Sequence, residues 1–175
     1  MKTLTDHLVQ YARYHRDRRN IATHFVGIPM IVVAVTVLLN RPAFDVSGVP
    51  VTLAMVVAAL SALFYLRLDL ALGALMTALL VGSLALARMT DSLPTAQWAA
   101  LGVGLFVVGW IFQFVGHFWE GRKPAFVDDL MGLLVGPLFV VTEAGFALGL
   151  GKSLEATITE AAGPVRDGAV KAPLS

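Results

Sequence analysis

The chain has no cysteine. That excludes disulfides and thiolate metal sites, and leaves imidazole and carboxylate groups as the strong ligands available to it. Charge is scarce as well: 14% of the 175 residues are charged, against about a quarter in ordinary soluble domains. The net charge of +1 gives no electrostatic footprint for nucleic acid, so no nucleic-acid partner is expected. There are only four histidines, fewer than the membrane di-iron hydroxylases and desaturases require. Carboxylate-bridged di-iron bundles use paired Glu-x-x-His motifs, and the plausible acids here are only Glu120, Glu143, Asp128 and Asp129. No HExxH run or obvious nucleophile marks a hydrolase. Alternating strand patterns and internal repeats are missing, and the charged segment before the first apolar run is unlike a cleaved signal peptide.

What is present is apolar: 57% of the residues are hydrophobic. A spanning helix needs roughly 20 mainly apolar residues, and five candidate segments fall at about 25–39, 51–66, 70–87, 96–117 and 130–150. The expected fold class is all-α, a polytopic membrane helix bundle with an N-terminal interfacial helix. One integral membrane domain would cover 1–150, followed by a flexible tail at 151–175. The tight break at Arg67-Leu68-Asp69 predicts a helical hairpin between segments two and three. Positive charge orients such a bundle. Lys2, Arg13, Arg16, Arg18, Arg19, Arg67, Arg122 and Lys123 fall on the N-terminal side, against only Arg41 and Arg88 in the opposite loops. With five spans the N-terminus is cytoplasmic and the C-terminus outside; a re-entrant fifth segment, allowed by GLLVGP at 132–137, would keep the C-terminus inside.

This topology puts His15, His24 and His117 on one membrane face. His15 and His24 are nine residues apart, which in one straight helix means opposite faces and about 13.5 Å of rise. They can meet only if the chain breaks between Arg16 and Asn20, where Asp17 and Asn20 are both good helix caps. In segment four, Gln113, His117 and Glu120 form one polar stripe. Polar groups in an apolar helix normally face a partner or a cavity. Three imidazoles and a carboxylate can bind Fe(II) or another first-row divalent ion at a single mononuclear site. Tyr11, Asn20 and Gln113 would orient the imidazoles. Glu143, an acid in an apolar run, could join that surround, ligate directly, pair with an arginine or carry protons. Plainer readings stand beside these. His7 is most simply a solvated interfacial residue, the arginines at 13–19 an anchor on membrane lipid phosphates, and Glu120 a partner for Arg122 or Lys123.

The run Y-H-x4-N-x3-H-x2-G-x-P, at Tyr14, His15, Asn20, His24, Gly27 and Pro29, resembles the 2-hydroxy fatty acid dioxygenase family. So do Q-F-x-G-H with a following acid and P-A, at Gln113, Phe114, Gly116, His117, Glu120, Pro124 and Ala125, and G-P-L-F-V-V-x-E at 136–143. The resemblance covers roughly 4–150. It implies an Fe(II)-dependent dioxygenase that uses O2 to shorten a 2-hydroxy fatty acid by one carbon. It also implies that His15, His24 and His117 are the catalytic iron ligands. Some members space the Gly-His pair and the acid differently, so Glu120 follows less directly than the histidines. Arg16, Arg18 and Arg19 are candidates to clamp the substrate carboxylate, since arginine suits it bidentately. The expected location is the inner membrane of a bacterium or the endoplasmic reticulum of a eukaryote, with the site on the cytoplasmic side. Two other classes fit the residues: a non-catalytic lipid- or ion-handling membrane protein, and a zinc-dependent lipid hydrolase.

Overall fold

The computed structural model describes residues 2–41 and 43–168. Seven α-helices, one two-stranded hairpin and a short 3-10 helix at Ala125–Val127 make up the regular structure of these residues: α1 (Leu4–Ala12), α2 (Arg18–Leu39), β1 (Ala43–Val46), β2 (Val49–Thr52), α3 (Leu53–Leu68), α4 (Leu70–Arg88), α5 (Thr95–Glu120), α6 (Gly132–Ala147) and α7 (Lys152–Ala162). The fold is all-α apart from that hairpin. The chain divides into two compact units, 1–28 with 111–175 and 29–110, and α2 and α5 contribute to both.

In the second unit the elements follow from local signals. Asp69 alone links α3 to α4. Its N–H donates to Tyr65 O, closing one helix, while its Oδ1 accepts from Leu72 N and opens the next. The two helices come so close that a Cβ on Gly73 would lie 2.6 Å from the Leu66 Cα. This is the expected hairpin. The segment at 40–50, read from sequence as a turn-rich break, carries the antiparallel β1–β2 pair. Ser47 and Gly48, both with positive φ, make its turn. Large apolar side chains such as Leu60, Leu63, Leu79, Val81, Val103 and Val107 are exposed along the helices of this unit. Lipid, not water, is the solvent that suits such faces.

α2, α4 and α5 are long and apolar enough to cross a membrane, and α6 with α7 passes the same test as a pair bent by 118°. α3, with 16 residues, is shorter than a full span. All five apolar segments read from the sequence are therefore helical, and composition and helix length mark a membrane protein.

In the first unit, α1 starts with a capping box. Thr3 Oγ1 accepts from Asp6 N, and Asp6 Oδ2 accepts from Thr3 N. α1 ends at Ala12, and α2 begins at Arg18. The expected break thus falls at 13–17, slightly earlier than the sequence suggested. Asp17 starts α2, its carbonyl accepting from Ile21 N and its Oδ1 from Arg19 N. Regular structure extends into the segment read from sequence as a flexible tail. Residues 152–162 form α7, which packs on α1, and 163–168 run as an extended strap. The part of the tail beyond 168 lies outside the described residues.

Candidate metal centre

The short turn at 13–17 does what a straight helix cannot. It turns His15 back so that its Nε2 lies 3.0 Å from the Nε2 of His24. His117, from the last two turns of α5, closes the group. Its ring centroid is 4.8 Å from that of His15 and 5.1 Å from that of His24. All three side chains are buried, and each offers one ligand atom within 4.8 Å of the others.

Hydrogen bonding fixes the tautomers of two rings. His15 Nδ1 donates to Tyr11 O at 2.7 Å, and His24 Nδ1 donates to Asn20 O at 2.8 Å. A carbonyl oxygen can only accept, so both Nδ1 atoms carry the hydrogen. Each neutral ring then points a bare Nε2 lone pair at the other. Two lone pairs at 3.0 Å repel unless a cation stands between them. Burial lowers the His15 pKa well below its ordinary value, and His24 and His117 add to the effect, which favours the neutral ring. The donor set therefore fits a metal ion that prefers neutral imidazole. Carbonyl bonds at the far nitrogens are also the usual way to orient ligating histidines.

The surround is specific. The Tyr11 ring stacks on His15 at 4.0 Å with 4° between the planes, and Phe139 lies 5.6 Å from His15. Gly116 permits the close approach of α5 to α2, since a Cβ there would overlap Thr23 Oγ1 and Asn20 Oδ1. Gln113, one turn before His117, is buried, and its Nε2 has no hydrogen-bond partner among the described residues.

Glu120 stands outside the three-histidine group. Its Oε2 accepts from the Arg16 N–H at 3.0 Å, the Asp17 N–H at 2.7 Å and Asn20 Nδ2 at 3.1 Å. Its Oε1 accepts from Arg166 Nη2 at 2.7 Å. Its place is as an anchor for the 13–17 turn, and its ion-pair partner is Arg166 instead of the Arg122 or Lys123 considered from sequence. Lys123 pairs with Asp128 at 2.6 Å, and Arg122 donates to Arg13 O.

The three candidate carboxylate-clamping arginines are all engaged. Arg16 is buried, donating to Ala12 O, His15 O and Gly163 O and pairing with Glu143 at 3.4 Å. Of the roles open to Glu143, the structure shows pairing with an arginine. Burial in turn lowers the Arg16 pKa, though Glu143 and Glu120 oppose that shift. Arg18 pairs with Asp167 on the surface, and Arg19 pairs with Asp17 and lies over the Trp119 ring. His7 is buried in α1, where burial lowers its pKa; it is not part of the three-histidine group. Sequence reasoning missed Arg166 as a neighbour of the site, and met Phe139 only as part of the block at 136–143. Neither lies in a spacing pattern that links it to the histidines.

Residues 1–148 match the family described as Mpo1-like, 2-hydroxy-palmitic acid dioxygenase. The chain is also similar to the protein named 2-hydroxy-palmitic acid dioxygenase MPO1 from Saccharomyces cerevisiae. The two are 36% identical over 151 residues, covering 85% of this chain and 83% of the yeast protein. No solved structure matches the chain.

Proposed function

We propose that this chain, which belongs to the Mpo1-like family of 2-hydroxy-palmitic acid dioxygenases, is an Fe(II)-dependent membrane enzyme that shortens 2-hydroxy fatty acids by one carbon. The observation that carries the metal is the pair of bare Nε2 atoms of His15 and His24 facing at 3.0 Å, with His117 beside them. The family carries the substrate class. One O2 balances the reaction without a further reductant: a 2-hydroxy acid and O2 give the acid one carbon shorter, CO2 and water. A ferrous ion supplies the one-electron chemistry that lets O2 react with a closed-shell substrate.

The chain's own residues do the rest. His15, His24 and His117 would hold the ion and, as neutral imidazoles, would add no negative charge that repels a hydroxycarboxylate. Tyr11 covers one face of the His15 ring and restricts approach from that side. Of the three arginines, Arg16 is the one that donates to the His15 carbonyl, and with its charge paired to Glu143 its part is to hold the turn that carries His15. The free Nε2 donor of Gln113 is available to the substrate's polar head. The acyl tail lies along the apolar helix faces that meet lipid. The positive-charge bias supports a site at the cytoplasmic surface of the membrane.

The test is O2 uptake by the purified protein in detergent or liposomes, supplied with Fe(II) and a 2-hydroxy fatty acid. Uptake matched by a product one carbon shorter, and abolished by His24→Ala or His117→Ala, is the expected result. Turnover without O2 would indicate a hydrolase instead. Absence of any turnover with Fe(II) present, together with indifference to chelators, would overturn the reading.

A further inference from the structure

The family match ends at residue 148, yet the chain continues into the centre's surroundings. After α7, residues 163–168 lie alongside the turn that carries His15. Arg166 N donates to Arg16 O at 2.7 Å, and Arg18 N donates to Arg166 O at 3.0 Å, a parallel bridge opposite Asp17. Arg16 Nη1 donates to Gly163 O at 3.2 Å, and Arg18 pairs with Asp167 at 3.0 Å. At the middle of this strap, Arg166 Nη2 reaches the inner carboxylate of Glu120 at 2.7 Å.

The placement of Glu120 gives that contact its meaning. Its side chain is 1% exposed, and it follows His117 by three residues on the same helix. Its Oε2 takes the two backbone N–H groups immediately after His15 and the Asn20 side chain. The carbonyl of Asn20 in turn holds His24 Nδ1. One carboxylate thus ties together the supports of all three imidazoles. A buried carboxylate holds such a geometry only while its charge is compensated. Asp17 is already matched by Arg19, and Arg16 by Glu143, so the guanidinium that contacts Glu120 is that of Arg166.

We infer that Arg166, on the strap that follows α7, is a positioning residue for the three-histidine centre, acting through Glu120 to hold the turn that carries His15. This rests on the metal reading above. It assigns the segment beyond the family match a share in building the site, and it predicts that metal affinity depends on a residue that touches no metal ligand.

The experiment is a Co(II) titration of the full chain in detergent, followed by the visible d–d absorption that imidazole ligation produces. The wild type is expected to bind one Co(II). Arg166→Ala and Glu120→Gln should each weaken binding about 10- to 100-fold, the range typical when a group supporting a ligand is lost. Arg166→Lys, which retains the charge, should recover most of the loss, and the Glu120→Gln/Arg166→Ala pair should be little worse than Glu120→Gln alone. Should Arg166→Ala not fold, as judged by helical circular dichroism, Arg166→Gln takes its place, with an expected loss of several-fold. Wild-type Co(II) affinity in whichever of these variants folds overturns the inference and leaves the metal centre standing. A role in stability alone would lower the melting temperature without moving the Co(II) affinity, and that result also overturns it. A wild type that binds neither Co(II) nor Fe(II) overturns the metal centre, and the inference falls with it.

Discussion

The two units of the chain bury polar groups of different kinds. In 29–110 the buried polar residues are Thr36, Asn40, Thr52, Ser61, Ser83 and Thr90. Several pair locally: Ser83 Oγ donates to Thr36 Oγ1 at 2.8 Å, and Thr36 back-bonds to Val32 O. No acid, base or histidine is among these buried residues. In 1–28 with 111–168 the buried set includes His15, His24 and His117 together with Arg16, Asp17 and Glu120. Hydroxyls satisfied by a neighbouring carbonyl or hydroxyl are inexpensive in an apolar bundle, and they suit a unit whose task is to sit in lipid. Buried charge is costly and persists only where each member finds a partner. Here each does, and the partners converge on the turn between α1 and α2. The difference separates a scaffold from a site.

Five substitutions can break or sharpen that contrast. The largest effect is expected at the ligands: His24→Ala or His117→Ala should lower metal affinity by more than the roughly 100-fold typical of losing a supporting group. Metal analysis after dialysis against a weak chelator, with O2 uptake alongside, checks it. Glu120→Ala comes next. Removing the carboxylate leaves two backbone donors and the Arg166 guanidinium without their acceptor, at a cost of about 3 kcal/mol. Thermal melting of the metal-free protein would show it; an unchanged melting temperature would refute the anchoring role. Gly116→Ala forces a methyl group onto Thr23 and Asn20, at about 1–3 kcal/mol for an overpacked contact. It should weaken metal binding too, because Asn20 holds His24. The smallest effect belongs to the scaffold: Ser83→Ala should cost about 1 kcal/mol and leave metal affinity alone. If Ser83→Ala disturbed the metal as much as Gly116→Ala, the contrast between the units would be lost.

Much of this was legible in the sequence, for reasons that can be named. Nine residues of separation put His15 and His24 on opposite faces of any straight helix, so a shared role demanded a break. The chain breaks at 13–17. The stripe of Gln113, His117 and Glu120 follows from helical spacing alone, and one buried face of α5 contains all three. The α3–α4 hairpin was readable from a break too short for anything else. Other features were hidden because their determinants lie far away in the chain. Glu120 meets the Arg16 and Asp17 amides across more than a hundred residues, and no spacing rule assigns a carboxylate to backbone donors at that range. α7 lacks a Ser, Thr, Asp or Asn cap, starting instead from Gly151 with positive φ. Its packing on α1, not its own signals, explains why it was read as tail. The arginines at 16, 18 and 19 looked alike in sequence; only folding distinguishes the buried Arg16 from the two at the surface.

The strap also sets an order of events during synthesis. The turn bearing His15 is made early, but the carboxylate that holds it arrives about a hundred residues later, and Arg166 later still. Until then the first two histidines have neither their third ring nor their anchor. On the proposed metal reading, the three imidazoles and the contacts that hold them are complete only once residue 166 has been made.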